Sequence, residues 1–317
     1  MTAPSAAAQR YRDRNGIKGP WQLAGEVRSG FRGAVVIPSL AEGERLFATL
    51  HCLAANPPAW VNRFLVVVVC NHSQEVDNQD RLQNEIDLAR LSDYALGSVL
   101  NLVWIDAVSP GLEVPANRAG VGFARKLGMD LALPCLDWSA DPLLVGLDAD
   151  TLVEDNYLQA IDRHFLWSSK GAAVLPYRHQ PGVDSEQQTA IDRYELFLRS
   201  YVYGLRLAGS PYAFNTVGSA MACRASSYVR CGGMNSRKAG EDFYFLQKLA
   251  KTDGVDLLSG TVVHPEPRAS QRVPFGTGRS MLRLLAGDKQ GVLFYPAAVF
   301  RILSDWLKLV ESNMTAD

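Results

Sequence analysis

The chain has 317 residues, of which 47% are hydrophobic and 21% charged, enough to bury a core in one large domain or in one domain with an added lobe. Because the formal net charge is -1 and no long basic run occurs, the chain shows no electrostatic feature that would favour nucleic acid as a partner. Five scattered cysteines without metal-type spacing are typical of core thiols in a reducing compartment. No leader-type apolar region and no bilayer-length apolar run occur, so a cytoplasmic protein is expected.

From residue 33 the chain alternates between short apolar runs and segments with helical spacing. Strands are predicted at residues 34–37, 64–70, 100–105 and 143–147. The apolar faces of the helices between them carry Leu46, Leu82, Ile86 and Leu127. Because the run at 64–70 is apolar throughout, we expect it to be a parallel strand buried on both faces at the centre of the sheet. This alternation predicts an α/β protein with a doubly wound, mostly parallel sheet.

The pattern changes after residue 150, where shorter strands and longer helices predict a mixed C-terminal region. The clearest signal is a capping-box-like start at Asp184 and Gln187, which predicts a long helix reaching Leu207. An amphipathic helix is expected after Gly240.

Two carboxylates, Asp148 and Asp150, follow the strand at 143–147. In an open α/β sheet the ligand crevice lies at the carboxyl edge of the strands. Two neighbouring acids usually need a cation, and oxygen ligands suit Mg²⁺ or Mn²⁺, which in turn suit a diphosphate. The alternative is a capping turn in which Asp150 or Thr151 begins a helix through Phe165.

A second group of candidate ligands lies nearer the C-terminus. His264 follows a short β-branched run, and an imidazole can complete a Mn²⁺ shell that already holds carboxylate and phosphate oxygens. A structural histidine is the alternative. Arg268, Arg272 and Arg279 surround a glycine-containing turn and are suited to hold a diphosphate. We expect a loop that closes over the diphosphate, the alternative being a surface loop with solvated arginines.

Together, these segments resemble a family 2-type glycosyltransferase of the GT-A fold over most of residues 33–280. Pro38 followed by Glu42 resembles the first-strand motif that contacts the nucleotide. Gly120 with Arg125 and Gly128 is similar to the family's glycine-and-arginine helix beneath the donor.

The acidic residues extend the resemblance. Asp148 and Asp150 resemble the family's metal motif, with the cation held by Asp150 and with Asp148 either nearer the ribose of the donor or bridging through water. Gly240-Glu241-Asp242 resembles the acidic segment that contains the catalytic base.

Three departures from the family pattern stand out. Many relatives have two aspartates after the second strand, where this chain has Cys70-Asn71-His72-Ser73, so Asn71 would recognise the base through an amide. Ala41 replaces the usual asparagine before Glu42. The Gln-x-x-Arg-Trp motif of processive synthases is missing, which favours transfer of a single sugar.

The resemblance implies a transferase that moves one sugar from a nucleotide diphosphate sugar to a hydroxyl acceptor, which is a saccharide, a small molecule or a lipid-linked group. Asp148, Asp150 and His264 are the expected ligands of Mn²⁺ or Mg²⁺. Asp242 is the expected base, which would make the reaction inverting, and Glu241 is the second candidate. The structural alternative for Asp242 is charge complementarity to a helix N-terminus. Retaining transfer, nucleotidyl transfer and non-catalytic nucleotide-sugar binding remain open.

Four segments are predicted: an N-terminal arm at 1–32, a nucleotide-sugar-binding half at 33–150, an acceptor and catalytic half at 151–280, and a C-terminal helical segment at 281–317. Residues 293–310 are amphipathic. They are expected either to dock on the domain or to lie on the inner face of a membrane beside a lipid-linked acceptor.

Overall fold

The computed structural model describes residues 6–237, 239–272, 276–288 and 290–314. The chain forms two compact units, the first made of residues 1–177 and 216–265, the second of residues 178–215 and 266–317. This division cuts across the predicted boundaries at 150 and 280, because the chain leaves the first unit after Tyr177 and returns to it at Thr216. The predicted functional halves stay a prediction.

The strands of the described residues all belong to the first unit. They are β1 (Leu23–Gly25), β2 (Gly33–Ser39), β3 (Phe64–Asn71), β4 (Asn101–Ala107), β5 (Leu143–Gly146), β6 (Thr151–Val153), β7 (Ala172–Val174), β8 (Met221–Arg224), β9 (Val255–Leu257) and β10 (Val263–Pro265). The large sheet has the order β1-β4-β3-β2-β5-β8-β7-β9, and β6 pairs with β10. Strands β4, β3, β2 and β5 run parallel, whereas β1 and β8 are antiparallel to their neighbours β4 and β5. The predicted large, mostly parallel sheet is confirmed.

The helices follow the strands of the first unit and make up most of the second. They are α1 (Ala6–Arg14), α2 (Glu44–Ala54), α3 (Pro58–Val61), α4 (Asn78–Gly97), α5 (Val121–Ala132), α6 (Tyr157–Trp167), α7 (Ser185–Leu207), α8 (Ala225–Arg230), α9 (Glu241–Thr252), α10 (Thr277–Leu285) and α11 (Ala297–Met314). Helices α7, α10 and α11 belong to the second unit. None of the helices that the structure describes combines the length and apolar content needed to cross a bilayer.

Strand β3 is buried along its whole length and runs parallel to both neighbours, as its unbroken apolar sequence predicts. The prediction that it forms the sheet centre is wrong. The midpoint lies between β2 and β5, because β8, β7 and β9 extend the sheet on the far side.

Helix α4 forms where predicted but buries a different face. Leu82 is 58% exposed, whereas Asn84 and Asp87 are buried. Their side chains accept hydrogen bonds from the backbone N–H groups of Ala41 and Gly43, at 2.8 and 3.0 Å. The helix therefore satisfies the backbone of the loop after β2, a role that an apolar face cannot take.

The N-terminal segment, predicted as an arm, is part of the fold. Helix α1 buries Ala8 and Tyr11, and β1 pairs with β4. The polar composition of the segment gives little sign of this packing, because only two residues of the helix supply its contact face.

The second unit is built around α7. As predicted, Asp184 caps this helix and accepts a 2.8 Å hydrogen bond from the backbone N–H of Gln187. Its core is a small buried cluster made of Ala190, Ile191, Tyr194, Met281 and Val292. Helix α11 packs on α7 where Gly204 leaves room for the ring of Phe300.

Candidate functional site

The two metal-motif carboxylates lie between two strands. Asp148 and Asp150 occupy the turn that joins β5 to β6, and both are half-buried while Ala149 between them is buried. Helix α6 begins only at Tyr157, after β6. The capping-turn alternative is therefore wrong, and Asp148 and Asp150 lie at the carboxyl end of β5, where ligands bind in open α/β sheets.

Arg125 connects this turn to the second acidic segment. Its guanidinium is buried and contacts the carboxylates of both Asp148 and Glu241. The guanidinium lies against Gly218, where any Cβ would overlap it. Arg125 was predicted to contact the donor; here it pairs with two acids, and a donor contact stays a prediction.

Helix α5 can place Arg125 there because two of its glycines allow close packing. A Cβ at Gly128 would lie only 2.9 Å from Val69 of β3, so the helix approaches the sheet closely. A Cβ at Gly122 would lie 2.8 Å from the Cβ of Glu241. Both approaches would be lost with any larger residue.

Glu241 and Asp242 begin α9 and differ in environment. Glu241 is buried, and its burial raises the pKa to about 7 despite the opposing effect of Arg125. Asp242 is half-buried, its Oδ1 accepts a 2.7 Å hydrogen bond from the N–H of Phe243, and burial also raises its pKa. Of the two, Glu241 is engaged with Arg125, whereas Asp242 lies nearer to solvent.

His264 lies in β10, directly opposite Leu152 of β6 and therefore two positions along from Asp150. Its Nε2 lies 3.8 Å from a carboxylate oxygen of Glu154. In the described ranges, no group of three or more His, Cys, Asp or Glu side chains is arranged to hold a metal ion. The ligand set of Asp148, Asp150 and His264 stays a prediction.

The residues predicted to contact the nucleotide gather at the carboxyl ends of β2 and β3. Pro38 is half-buried in β2, Asn71 is the buried last residue of β3, and Glu42 is buried in the loop between β2 and α2. In that loop Ala41 has a φ of 50°, a left-handed conformation that an asparagine, the residue usual in the family, tolerates better.

Sequence reasoning did not identify several buried polar atoms, which lie at the ends of β2 and β3 and just after the metal turn. The hydroxyl of Ser39 and Nε2 of His72 are buried without a hydrogen-bond partner among the described residues, as are the hydroxyls of Thr151 and Tyr157. The charge of Asp148 acts on Tyr157 and, together with burial as the main cause, raises its pKa. Buried polar atoms without protein partners are candidate contacts for water or a bound ligand. The position of Ser39 and His72 at two strand ends was the available signal.

The three candidate arginines belong to the second unit. Arg268 lies 3.9 Å from a carboxylate oxygen of Glu266, Arg272 is exposed, and Arg279 lies in the first turn of α10 rather than in a loop. Residues 273–275 of the predicted loop lie outside the described residues. Closure over a diphosphate stays a prediction.

Comparisons with known proteins give distant similarity only. No protein-family model matches the chain, and neither does any curated protein sequence. Among solved structures, S. aureus TarS in complex with UDP-GlcNAc is 14% identical, with a TM-score of 0.49 over 86% of this chain and 70% of that one. The mannosyltransferase PcManGT from Pyrobaculum calidifontis, in complex with GDP-Man and Mn²⁺, is 16% identical, with a TM-score of 0.48 over 95% of this chain and 86% of that one. Because these values are low, the function is inferred from the residues of this chain.

Proposed function

We propose that the chain is a metal-dependent, inverting glycosyltransferase that moves one sugar from a nucleotide diphosphate sugar to a hydroxyl acceptor. The observation that carries the proposal is the grouping of three carboxylates, Asp148, Glu241 and Asp242, around the buried guanidinium of Arg125. The group lies at the carboxyl end of the parallel strands. One positive charge leaves such a site with an excess of negative charge, which a divalent cation would offset.

The residues present fit a cation that is shared with its substrate. Asp148 is 36% exposed at its side chain, so its carboxylate is accessible beside its contact with Arg125. Asp150 lies on the same turn, and His264 occupies the strand next to it. Since these three do not form a complete protein site, oxygens of the donor diphosphate would supply the remaining ligands. When bound, Mn²⁺ or Mg²⁺ supplies Lewis-acid stabilisation of the departing diphosphate.

In the proposed reaction the acceptor oxygen attacks the anomeric carbon of the sugar while the bond from that carbon to the diphosphate breaks. Asp242 accepts the proton of the acceptor hydroxyl, and the bonding electrons leave with the nucleoside diphosphate. Arg125 holds Asp148 and Glu241 in place, which keeps the start of α9 next to the metal turn. A single displacement of this kind inverts the anomeric centre.

The donor's nucleoside is proposed to bind at the carboxyl ends of β2 and β3. Ser39 and His72 support this placement, because each has a buried polar atom that lacks a partner among the described residues. Asn71 would add an amide to the same region. The resulting contacts would use hydroxyl, imidazole and amide groups where many similar enzymes use aspartates.

The proposal is tested by incubating the protein with a panel of nucleotide sugars, with and without Mn²⁺ or Mg²⁺, and following nucleoside diphosphate release. Slow metal-dependent release is expected, and NMR of the anomeric proton in a transferred product is expected to show inversion. Retention of configuration would show that the reaction is not inverting and would contradict the role of Asp242 as the base. Pyrophosphate formation would indicate nucleotidyl transfer, and affinity without turnover would indicate a binding protein.

A further inference from the structure

The N-terminal helix takes part in a buried polar network that the proposed chemistry does not use. The hydroxyl of Tyr11 donates a 2.8 Å hydrogen bond to Asp130 and accepts one of 2.7 Å from Lys126. Tyr228 donates a 2.7 Å bond to the same oxygen of Asp130, and the N–H of Ile17 donates to its other oxygen at 2.9 Å. Every side chain in the network is buried. Each polar group therefore depends on its partners for hydrogen bonding.

This network is attached to the helix that carries Arg125. Lys126 and Asp130 belong to α5, and Lys126 directly follows Arg125. The ammonium group of Lys126 also lies 3.0 Å from the carboxylate of Asp130. Tyr11 consequently binds α1 to the back of α5 while Arg125 reaches the acidic site.

The same hydroxyl also touches the segment that leads to the candidate base. Gly233 has a φ of 76°, and a Cβ there would overlap the hydroxyl of Tyr11. The segment then continues to Asn235, whose side-chain amide donates a 2.8 Å hydrogen bond to the carbonyl of Glu241. A Cβ at Gly122 of α5 would lie 3.0 Å from the carbonyl oxygen of Asn235. The segment 232–237 is thus held by backbone hydrogen bonds from Gly232 and Gly233 to α8, by Tyr11 on α1 and by the close approach of α5.

We propose that Tyr11 is a positioning residue, which fixes the segment before α9 to α5 and so sets the distance between Asp242 and the Arg125–Asp148 pair. Its effect on catalysis rests on the proposed function, whereas its effect on the segment does not. The N-terminal helix α1 then helps to position the site, although it supplies no group that touches the substrate.

The test compares Tyr11→Phe with Tyr228→Phe. Each variant removes one buried hydroxyl from the same oxygen of Asp130. The Tyr11 hydroxyl lies against Gly233, whereas Tyr228 binds Gly233 through its backbone carbonyl, which Tyr228→Phe leaves in place. Hydrogen exchange is followed by mass spectrometry on the peptide covering residues 231–245. We expect this peptide to exchange about fivefold faster in Tyr11→Phe than in Tyr228→Phe, because Tyr11→Phe also loses the hydrogen bond from Lys126, and about 1 kcal/mol corresponds to a factor of about five. Equal exchange in the two variants would overturn the proposal.

Turnover supplies the second measurement. Tyr11→Phe is expected to lower kcat about tenfold with an unchanged donor dissociation constant, because a base moved from its productive position slows the chemical step. Tyr228→Phe is expected to leave kcat within about twofold. A fall in both variants, or in neither, would contradict a positioning role. If the wild-type protein turns over no donor, the proposed function fails while the exchange comparison still decides the role of Tyr11.

The wild-type protein gives a further check that needs no variant. If Tyr11 joins the two segments, backbone amides of α1 and of residues 232–237 open together and share one opening free energy. Distinct opening free energies would overturn the proposal even where Tyr11→Phe does not fold.

Discussion

The two units of the chain differ in the size of the apolar core that they bury. The first unit buries nearly all of the apolar residues of its central strands and also buries charges, among them Arg125, Lys126 and Asp130. The second unit has a small buried cluster and leaves large apolar side chains on its surface. Those more than half exposed on α7 and α11 are Leu196, Tyr203, Leu207, Ile302, Trp306 and Leu309.

Buried charged residues and exposed apolar residues serve different purposes in a protein. Buried charges need partners and fixed geometry, and this requirement is met where a large sheet and its helices hold them. Exposed apolar residues on an amphipathic helix do not stabilise an isolated unit and favour contact with another apolar surface. The first unit is therefore the expected place of chemistry, and the second the expected place of contact with an acceptor or a membrane.

A large effect on turnover is expected from the metal turn of the first unit. Asp150→Ala should lower metal-dependent turnover by about 10³, because the leaving diphosphate loses stabilisation by the cation. Nucleoside diphosphate release measured against Mn²⁺ concentration checks this. Asp155→Ala, an exposed acid just after β6, is the matched control. Full activity of Asp150→Ala in chelator-treated buffer would remove the metal from the mechanism.

Asp242→Asn is expected to preserve donor affinity and to slow the chemical step by about 10² to 10⁴, the usual contribution of a positioned base. Single-turnover kinetics with saturating donor separates the two quantities. A normal chemical step with weakened donor binding would instead make Asp242 a donor ligand.

The buried contact between Glu241 and Arg125 in the first unit predicts that stability depends on pH. Because the pKa of Glu241 is about 7 in the folded protein and near 4.5 when unfolded, the folded state binds the proton more tightly. The contribution of this group to the free energy of unfolding is therefore greatest below pH 4.5 and falls as the pH rises to 7. Urea unfolding between pH 5 and 7.5 should show this fall in the wild-type protein and less of it in Glu241→Gln. The same slope in Glu241→Gln would assign the titration to another group.

The apolar surface of the second unit predicts weak binding to lipid. Vesicles of phosphatidylcholine and phosphatidylglycerol are expected to sediment a fraction of the wild-type protein, and Trp306→Ser to reduce that fraction several-fold, since Trp favours the membrane interface. Leu82→Ser is the matched control, because Leu82 is as exposed as Trp306 but belongs to the first unit. No sedimentation of the wild-type protein would leave the surface to an acceptor or to another protein.

The smallest effect concerns the loop after β2 in the first unit. Ala41→Gly should raise the free energy of unfolding by about 0.5 to 1 kcal/mol, because glycine adopts a φ of 50° without steric cost. Urea unfolding measures this change. A loss of stability would mean that the loop does not hold Ala41 in the left-handed region in solution.

The sequence alone determined the parallel strands, the start of α7 and the acidic edge of the sheet. Unbroken apolar runs predicted the parallel strands, Asp184 predicted the start of α7, and the position of Asp148 after β5 predicted a polar strand end. These features follow from local periodicity and local hydrogen bonding, which a single stretch of chain already contains.

Only the tertiary structure decided which of these residues meet. Arg125 and Glu241 are separated by 116 positions, and their contact depends on the space left by Gly122 and Gly218. The docking of Tyr11 against Asp130, 119 positions away, is likewise invisible in a polar N-terminal sequence. Such contacts arise from the close approach of whole elements, and no local pattern of residues specifies which elements approach one another.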